Sequence, residues 1–257
     1  MNSGVKTVYY DEELGDEFSG VTRPDYRVPR DFDWSEGNFF RRAAAFIVYR
    51  LVMTPFAFIY MKVKFGMRIV RSCRIPKGGC FLYANHTMLA GDAFTPSLVC
   101  FPKKVSVIVG PANVALKSTR EFVLLCGALP LPDGIGGLRR FSEEVACRAS
   151  RGGCVTVYPE AHIWPYCRFI RPFADTSFAY PVSLKLPVVC TTATYSRRRF
   201  SKTPRLTVYL DGPFYPGAGD PRGARKELRD AVYGTMCRRA RESTWSPVDY
   251  VKREKND

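Results

Sequence analysis

Two histidines, His86 and His162, are the only imidazoles in 257 residues, so any imidazole chemistry runs through one of them. Metal chemistry has little to draw on. Zinc sites take Cys and His ligands paired two to five residues apart, and no such cluster stands out. The nine cysteines (73, 80, 100, 126, 147, 154, 167, 190 and 237) include no C-x-x-C pair, and a chain this long folds without disulfide staples. They read as free, mostly buried thiols in a reducing cytoplasm, with no competing nucleophile set beside a histidine. No G-x-x-x-x-G-K phosphate loop and no dinucleotide fingerprint occurs, which sets aside nucleotide hydrolysis. The first twenty residues carry Asp11, Glu12, Glu13, Asp16 and Glu17 instead of the basic flank and apolar run of a secretory signal, so export is not expected. No internal repeat or low-complexity tract is present.

What the chain has in excess is positive charge, a formal +15. Residues 1–40 hold 4 basic and 9 acidic side chains, and the remainder holds 35 basic against 15 acidic. Such a surplus implies an anionic partner (nucleic acid, anionic lipid or a phosphorylated small molecule) or simply a solvated face. Residues 1–38, with scattered Gly, Pro and aromatics, read as an irregular acidic arm. Residues 39–70 are apolar and aromatic, with cations at their ends and middle. About 20 uninterrupted apolar residues are needed to span a bilayer, whereas Arg50 and Pro55 divide this stretch. Two short helices lying in the headgroup region are therefore expected, or alternatively two core-packing helices. Beyond them, β-branched runs (GCFLYAN, VSVIVG, CVTVYP, LPVVCTTATY, RLTVYLDG) alternate with helical stretches near 113–125, 137–150 and 221–242. That alternation reads as α/β. The last helix places Leu228, Val232 and Met236 on one face, and a mobile tail follows Pro247.

His86 follows the apolar run FLYA in Asn85-His86-Thr87-Met88-Leu89-Ala90-Gly91-Asp92, a strand end that delivers an imidazole and a carboxylate into one turn. α/β proteins put their chemistry at such strand ends. A carboxylate beside an imidazole fixes the tautomer and stabilises the imidazolium, which makes a general base. By itself the segment reads equally as hydrogen-bonded structure. About 70 residues later a second strand, CVTVYP, ends in Pro159-Glu160.

At this point the chain resembles the lysophosphatidic acid acyltransferase family of the glycerolipid acyltransferases, from about residue 79 to 189. Asn85-His86 followed by Asp92 resembles the first block of that family, and Gly127-Ala128-Leu129-Pro130 the second. The aromatic-Pro-Glu at Tyr158-Pro159-Glu160 resembles the third, and Pro187 the fourth. The resemblance implies an α/β acyltransferase domain (71–243) with a mixed central sheet flanked by helices. The apolar membrane-association helices (39–70) precede it and a C-terminal tail (244–257) follows. It implies His86 as general base with Asp92 as its partner, substrate contacts from Asn85 and Glu160, and no cofactor. The acyl donor would be acyl-CoA or acyl-carrier protein, the acceptor a lysophospholipid with lysophosphatidic acid the default, and the setting the cytoplasmic face of a membrane, peripheral or monotopic.

Three departures shape further expectations. Five residues separate His86 from Asp92 where the family commonly has four, and positions six apart lie about 240° round a regular helix, so a turn or bulge is required, which Gly91 can supply. Ala161-His162-Ile163 stands where the family commonly has Gly-Thr-Arg, leaving Arg168 and Arg171 as candidate phosphate contacts. His162 reads as a second acid/base group, a substrate donor or a structural residue. Pro132-Asp133-Gly134 stands where an arginine is common, and Gly136, Gly137, Arg139 and Arg140 beyond it form either an anion site or a plain helix start. Two other readings stay open. One is a nonenzymatic lipid-surface or lipid-transfer protein on the same fold. The other is a nucleic-acid module, carried by Tyr195-Ser196-Arg197-Arg198-Arg199-Phe200, which leaves both strand-end signatures unexplained, so no nucleic-acid partner is expected.

Overall fold

The structure, a computed structural model, describes residues 5–20 and 24–253. Residues 1–4, 21–23 and 254–257, parts of the expected arm and tail, lie outside the described residues. Two apolar runs form the centre of a sheet, β3 (Cys80–Ala84) and β6 (Cys154–Val157), every residue of which is buried. Strands covered on both faces need such unbroken apolar sequence. Around them lie β2 (Arg68–Arg71), β4 (Val105–Val109), β5 (Ala128–Pro130), β7 (Val188–Arg198) and β8 (Ser201–Phe214), in the order β2-β8-β7-β3-β6-β4-β5. β7 and β8 form an antiparallel hairpin, and the other neighbours are parallel, so the sheet is mixed. The α/β architecture with a mixed sheet flanked by helices is as expected.

Alternation along β3 sorts its side chains between two cores. Phe81 and Tyr83 pack under α5 (Ile135–Ser150) and α7 (Pro221–Ala240), through Phe141, Val145, Leu228, Val232 and Met236. Cys80 and Leu82 face the other way, toward α3 (Gly91–Val99) and the apolar N-terminal helices. A second, small sheet pairs β1 (Lys6–Tyr10) in parallel with β9 (Val248–Lys252).

Two expectations are corrected. Residues 39–65 are one continuous helical run, not two short helices: α1 (Phe39–Ile47), a π-helical segment (Val48–Met53) and α2 (Thr54–Phe65). By length and composition this run alone, among the described residues, is long and apolar enough to cross a membrane. Its buried side is Ala45, Tyr49, Met53, Ala57, Met61 and Phe65, spaced every four residues. On a regular helix a four-residue stripe drifts by about 40° per step. The wider π-turns reverse part of that drift and keep the stripe on the body. They also absorb Pro55: the Thr54 N–H and hydroxyl both donate to the Tyr49 carbonyl, the hydroxyl at 2.7 Å. Arg50 does not break the run either, because its guanidinium donates to the Pro102 carbonyl and lies 5.2 Å from the Phe101 ring centre.

The arm and tail are likewise not merely irregular and mobile. β1 and β9 clasp each other across the loop that follows β6. There Trp164 stacks on Tyr250 and meets Tyr10 and Phe18 edge-on, with ring centres 4.9, 4.8 and 5.1 Å away. The Trp164 indole N–H donates to the Asp16 carbonyl at 2.7 Å, and the Tyr250 hydroxyl to the Pro165 carbonyl at 3.0 Å.

Candidate active site

The site is built where β3 and β6 end side by side. Asn85, the first residue past β3, is buried and closes a two-way pair with β7: its amide donates to the Ala193 carbonyl at 3.2 Å and its oxygen accepts from the Ala193 N–H at 2.8 Å. This fixes where the chain leaves the sheet, and it engages the polar end that was expected to meet substrate. His86 and Thr87 then run beside the loop after β6. Trp164 N–H donates to the His86 carbonyl at 3.1 Å, and Tyr166 N–H to the Thr87 carbonyl at 2.9 Å. The Thr87 hydroxyl is 2.7 Å from the buried Tyr195 hydroxyl.

His86 Nδ1 lies 2.7 Å from Asp92 Oδ2. The six-residue spacing is no obstacle, because α3 begins only at Gly91 and His86 stands in the loop before it. Gly91 itself fits tightly: a Cβ there would meet the Met88 side chain at 2.5 Å. Asp92 also accepts from the Met88 N–H at 2.8 Å, and sits in the first turn of α3, where the helix dipole favours a carboxylate. An acceptor at Nδ1 leaves Nε2 as the basic nitrogen. The ring stacks on Tyr158 with centres 4.5 Å apart and planes at 27°, and the Tyr158 hydroxyl donates to the Asp92 carbonyl. Burial, with the Asp92 charge second, pushes the Tyr158 phenol well up, so it stays a donor. The imidazole is thus held on one edge and one face, with its side chain 16% exposed.

Glu160 and Arg171 are brought together differently from the expectation that they meet substrate. Both side chains are 1% exposed and 3.1 Å apart. Glu160 accepts from the His86 N–H at 3.0 Å and the Arg171 N–H at 3.1 Å, while Arg171 donates to the His162 and Glu13 carbonyls and lies 4.9 Å from the Trp164 ring centre. Burial pushes the Glu160 carboxyl up, and the Arg171 charge and the two N–H donors pull against it. With their hydrogen-bonding groups turned inward, the pair positions the His86 backbone. It offers no surface to an acceptor.

The side chains of the other candidates lie apart from this group. His162 faces the arm, its Nδ1 3.4 Å from Glu17. Arg168 pairs with Asp249 of β9 at 3.2 Å, and Arg139, 87% exposed on α5, with Glu143 at 2.9 Å. Among the described residues no Lys or Arg makes a hydrogen bond or ion pair with His86 or the Asp92 carboxylate. Sequence reasoning missed the roles of Tyr158 and Tyr195. Tyr158 carried a signal, as the aromatic of the third block. Tyr195 carried none, since its partner Thr87 lies more than a hundred residues away.

No protein-family model matches the sequence, and no curated protein matches it. Among solved structures, the chain is similar to the 1-acyl-sn-glycerophosphate (LPA) acyltransferase PlsC of Thermotoga maritima, with a TM-score of 0.58 and 17% identity over 82% of this chain and 86% of that one. At that identity the likeness is one of fold.

Proposed function

We propose that this protein is a glycerolipid O-acyltransferase working at a membrane surface. The observation that carries the reading is the His86–Asp92 pair at 2.7 Å, held at the strand ends of a glycerolipid acyltransferase fold with Nε2 left as the base. His86 Nε2 takes the proton from the free hydroxyl of a lysophospholipid, lysophosphatidic acid being the default, as that oxygen attacks the thioester carbonyl of acyl-CoA or acyl-carrier protein. The oxygen–carbon bond forms, the carbon–sulfur bond breaks, and the imidazolium returns its proton to the departing thiolate. Asp92 stabilises the imidazolium in between. General-base assistance of this kind contributes about 10² to 10⁴ in rate. Holding hydroxyl, imidazole and thioester together accounts for about 7 to 11 kcal/mol more. Asn85, Glu160 and Arg171 act by positioning.

The helical run supports the membrane setting. One face lies on the body along its length, while Phe46, Leu51, Phe56, Phe58, Ile59 and Val63 are exposed. A helix bound lengthwise in this way fits into the interfacial plane of a bilayer, on its cytoplasmic face. The competing reading, a lipid-surface protein without chemistry, draws on the lack, among the described residues, of any Lys or Arg hydrogen-bonded to or ion-paired with the His86 pair. The deciding experiment is transfer from a labelled acyl-thioester to lysophospholipids of different headgroup, with the intact chain and with His86→Ala. Transfer that collapses in the variant establishes the reaction and names the acceptor. No transfer by folded parent protein with either acyl carrier and membranes supplied overturns the enzymatic reading.

A further inference from the structure

The tip of the β7–β8 hairpin has no role in the site or the core, yet residues 197–202 form its most conspicuous surface. Phe200 is 91% exposed, beyond any packing use, with the Arg199 guanidinium 5.2 Å from its ring centre. Arg197, Arg199 and Lys202 are exposed, and no carboxylate pairs with them among the described residues. An exposed aromatic with one cation over its ring and two more within three residues along the chain fits an anionic partner with an apolar layer beneath its charge.

The tip is continuous with the end of the helical run. The Arg198 guanidinium donates to the Lys64 carbonyl at 2.8 Å and lies over Gly66, the left-handed cap of α2. The adjoining last turns of α2 expose Ile59 and Val63 beside Lys62 and Lys64. Neither sequence segment dilutes this charge: no Asp or Glu occurs between Glu36 and Asp92, or between Asp175 and Asp211. We propose that the hairpin tip is a second membrane contact, which docks on anionic phospholipid headgroups with Phe200 inserted beside the C-terminal end of α2. This rests on the membrane-surface reading above and extends it to a defined lipid class. A polynucleotide would use the arginines and stack on Phe200, but it has no use for the aliphatic Ile59 and Val63 that continue the surface.

The test is flotation of the full-length chain with vesicles of phosphatidylcholine alone and of phosphatidylcholine with phosphatidylglycerol. The parent and a variant carrying Arg197→Glu, Arg199→Glu and Phe200→Ser are compared, each checked by thermal melting. The variant is expected to lose at least tenfold in partitioning onto anionic vesicles and to match the parent on neutral ones. In a second protein, Phe200→Trp, the new indole is expected to shift its emission to the blue on anionic vesicles. Equal partitioning of parent and triple variant, or no emission shift, overturns the proposal. So does a variant that loses affinity only for a single-stranded oligonucleotide. Transfer to a short-chain, detergent-dispersed acceptor should proceed at the parent rate in the triple variant. If neither protein transfers acyl groups, the enzymatic reading fails alone, and flotation still decides the lipid contact.

Discussion

The two histidines offer a comparison within one chain. Each has a carboxylate beside Nδ1, Asp92 for His86 at 2.7 Å and Glu17 for His162 at 3.4 Å. The first pair is sunk between a loop and the start of α3, with Tyr158 under the ring. The second lies at the surface, its side chains 35% and 28% exposed. Even so, the two backbones are tied to one buried ion pair, since Glu160 accepts from the His86 N–H and Arg171 donates to the His162 carbonyl. A neighbouring carboxylate therefore does not by itself make an imidazole a base. What separates the two is whether geometry and burial leave the partner no alternative, because an exposed pair is screened and worth little.

The largest effect expected is that of His86→Ala, which should lower kcat/KM for acyl transfer by about 10² to 10⁴ with little change in melting temperature. Glu160→Gln should act on the shared anchor instead. Leaving Arg171 charged and unpaired in the interior costs about 3 to 5 kcal/mol in urea unfolding, and adding Arg171→Met should restore most of it. Asp92→Asn keeps an acceptor for the Met88 N–H but supplies no charge to an imidazolium. It should reduce kcat by less than His86→Ala does and leave KM nearly unchanged, whereas the same kind of change at Glu17 should leave kcat alone. Ala161, next to His162, has φ of +63°, a left-handed conformation in which a side chain is strained. Ala161→Gly should raise unfolding stability by about 0.5 to 1 kcal/mol in the same urea assay. His162→Ala should do least, within about 0.5 kcal/mol in stability and less than twofold in kcat. A large loss of transfer there would make the two histidines equivalent and break the comparison.

Much of the sheet was legible in sequence because its central strands are buried on both faces, so that CFLYA and CVTV, apolar but for Thr156, stand beside glycines. β1 and β9 were not. KTVYY and VDYVK are five-residue segments whose partners lie at opposite ends of the chain, and such pairing leaves no local periodicity. The helical run was misread because Arg50 interrupts the apolar sequence and Pro55 is a helix breaker by local propensity, while the π-segment and the Phe101 and Pro102 contacts that accommodate them lie beyond what local sequence signals. In the site, the juxtaposition of His86 and Asp92 was expected from their strand-end position together with the resemblance. Their geometry depended on α3 starting at Gly91, a boundary that GDAF does not announce. Ala161 has a left-handed backbone conformation of the kind that favours glycine, the residue that the resemblance led one to expect there. Glu160 and Arg171 were both noticed, but no periodic rule links residues eleven apart, and their mutual burial was visible only in three dimensions.

The clasp of β1 on β9 has a consequence in time. During synthesis Lys6–Tyr10 emerges long before its partner strand Val248–Lys252, so the arm must wait unpaired while all the sequence between them is made. Trp164, whose N–H holds the His86 carbonyl, acquires Tyr250 behind its ring only then. At about 5 to 20 residues per second, some 90 residues separate Glu160 from the end of β9, a lag of roughly 5 to 20 s. Through that interval the sheet can be assembled while the wall behind the histidine is still open. Maturation of the site is thereby tied to the synthesis of β9.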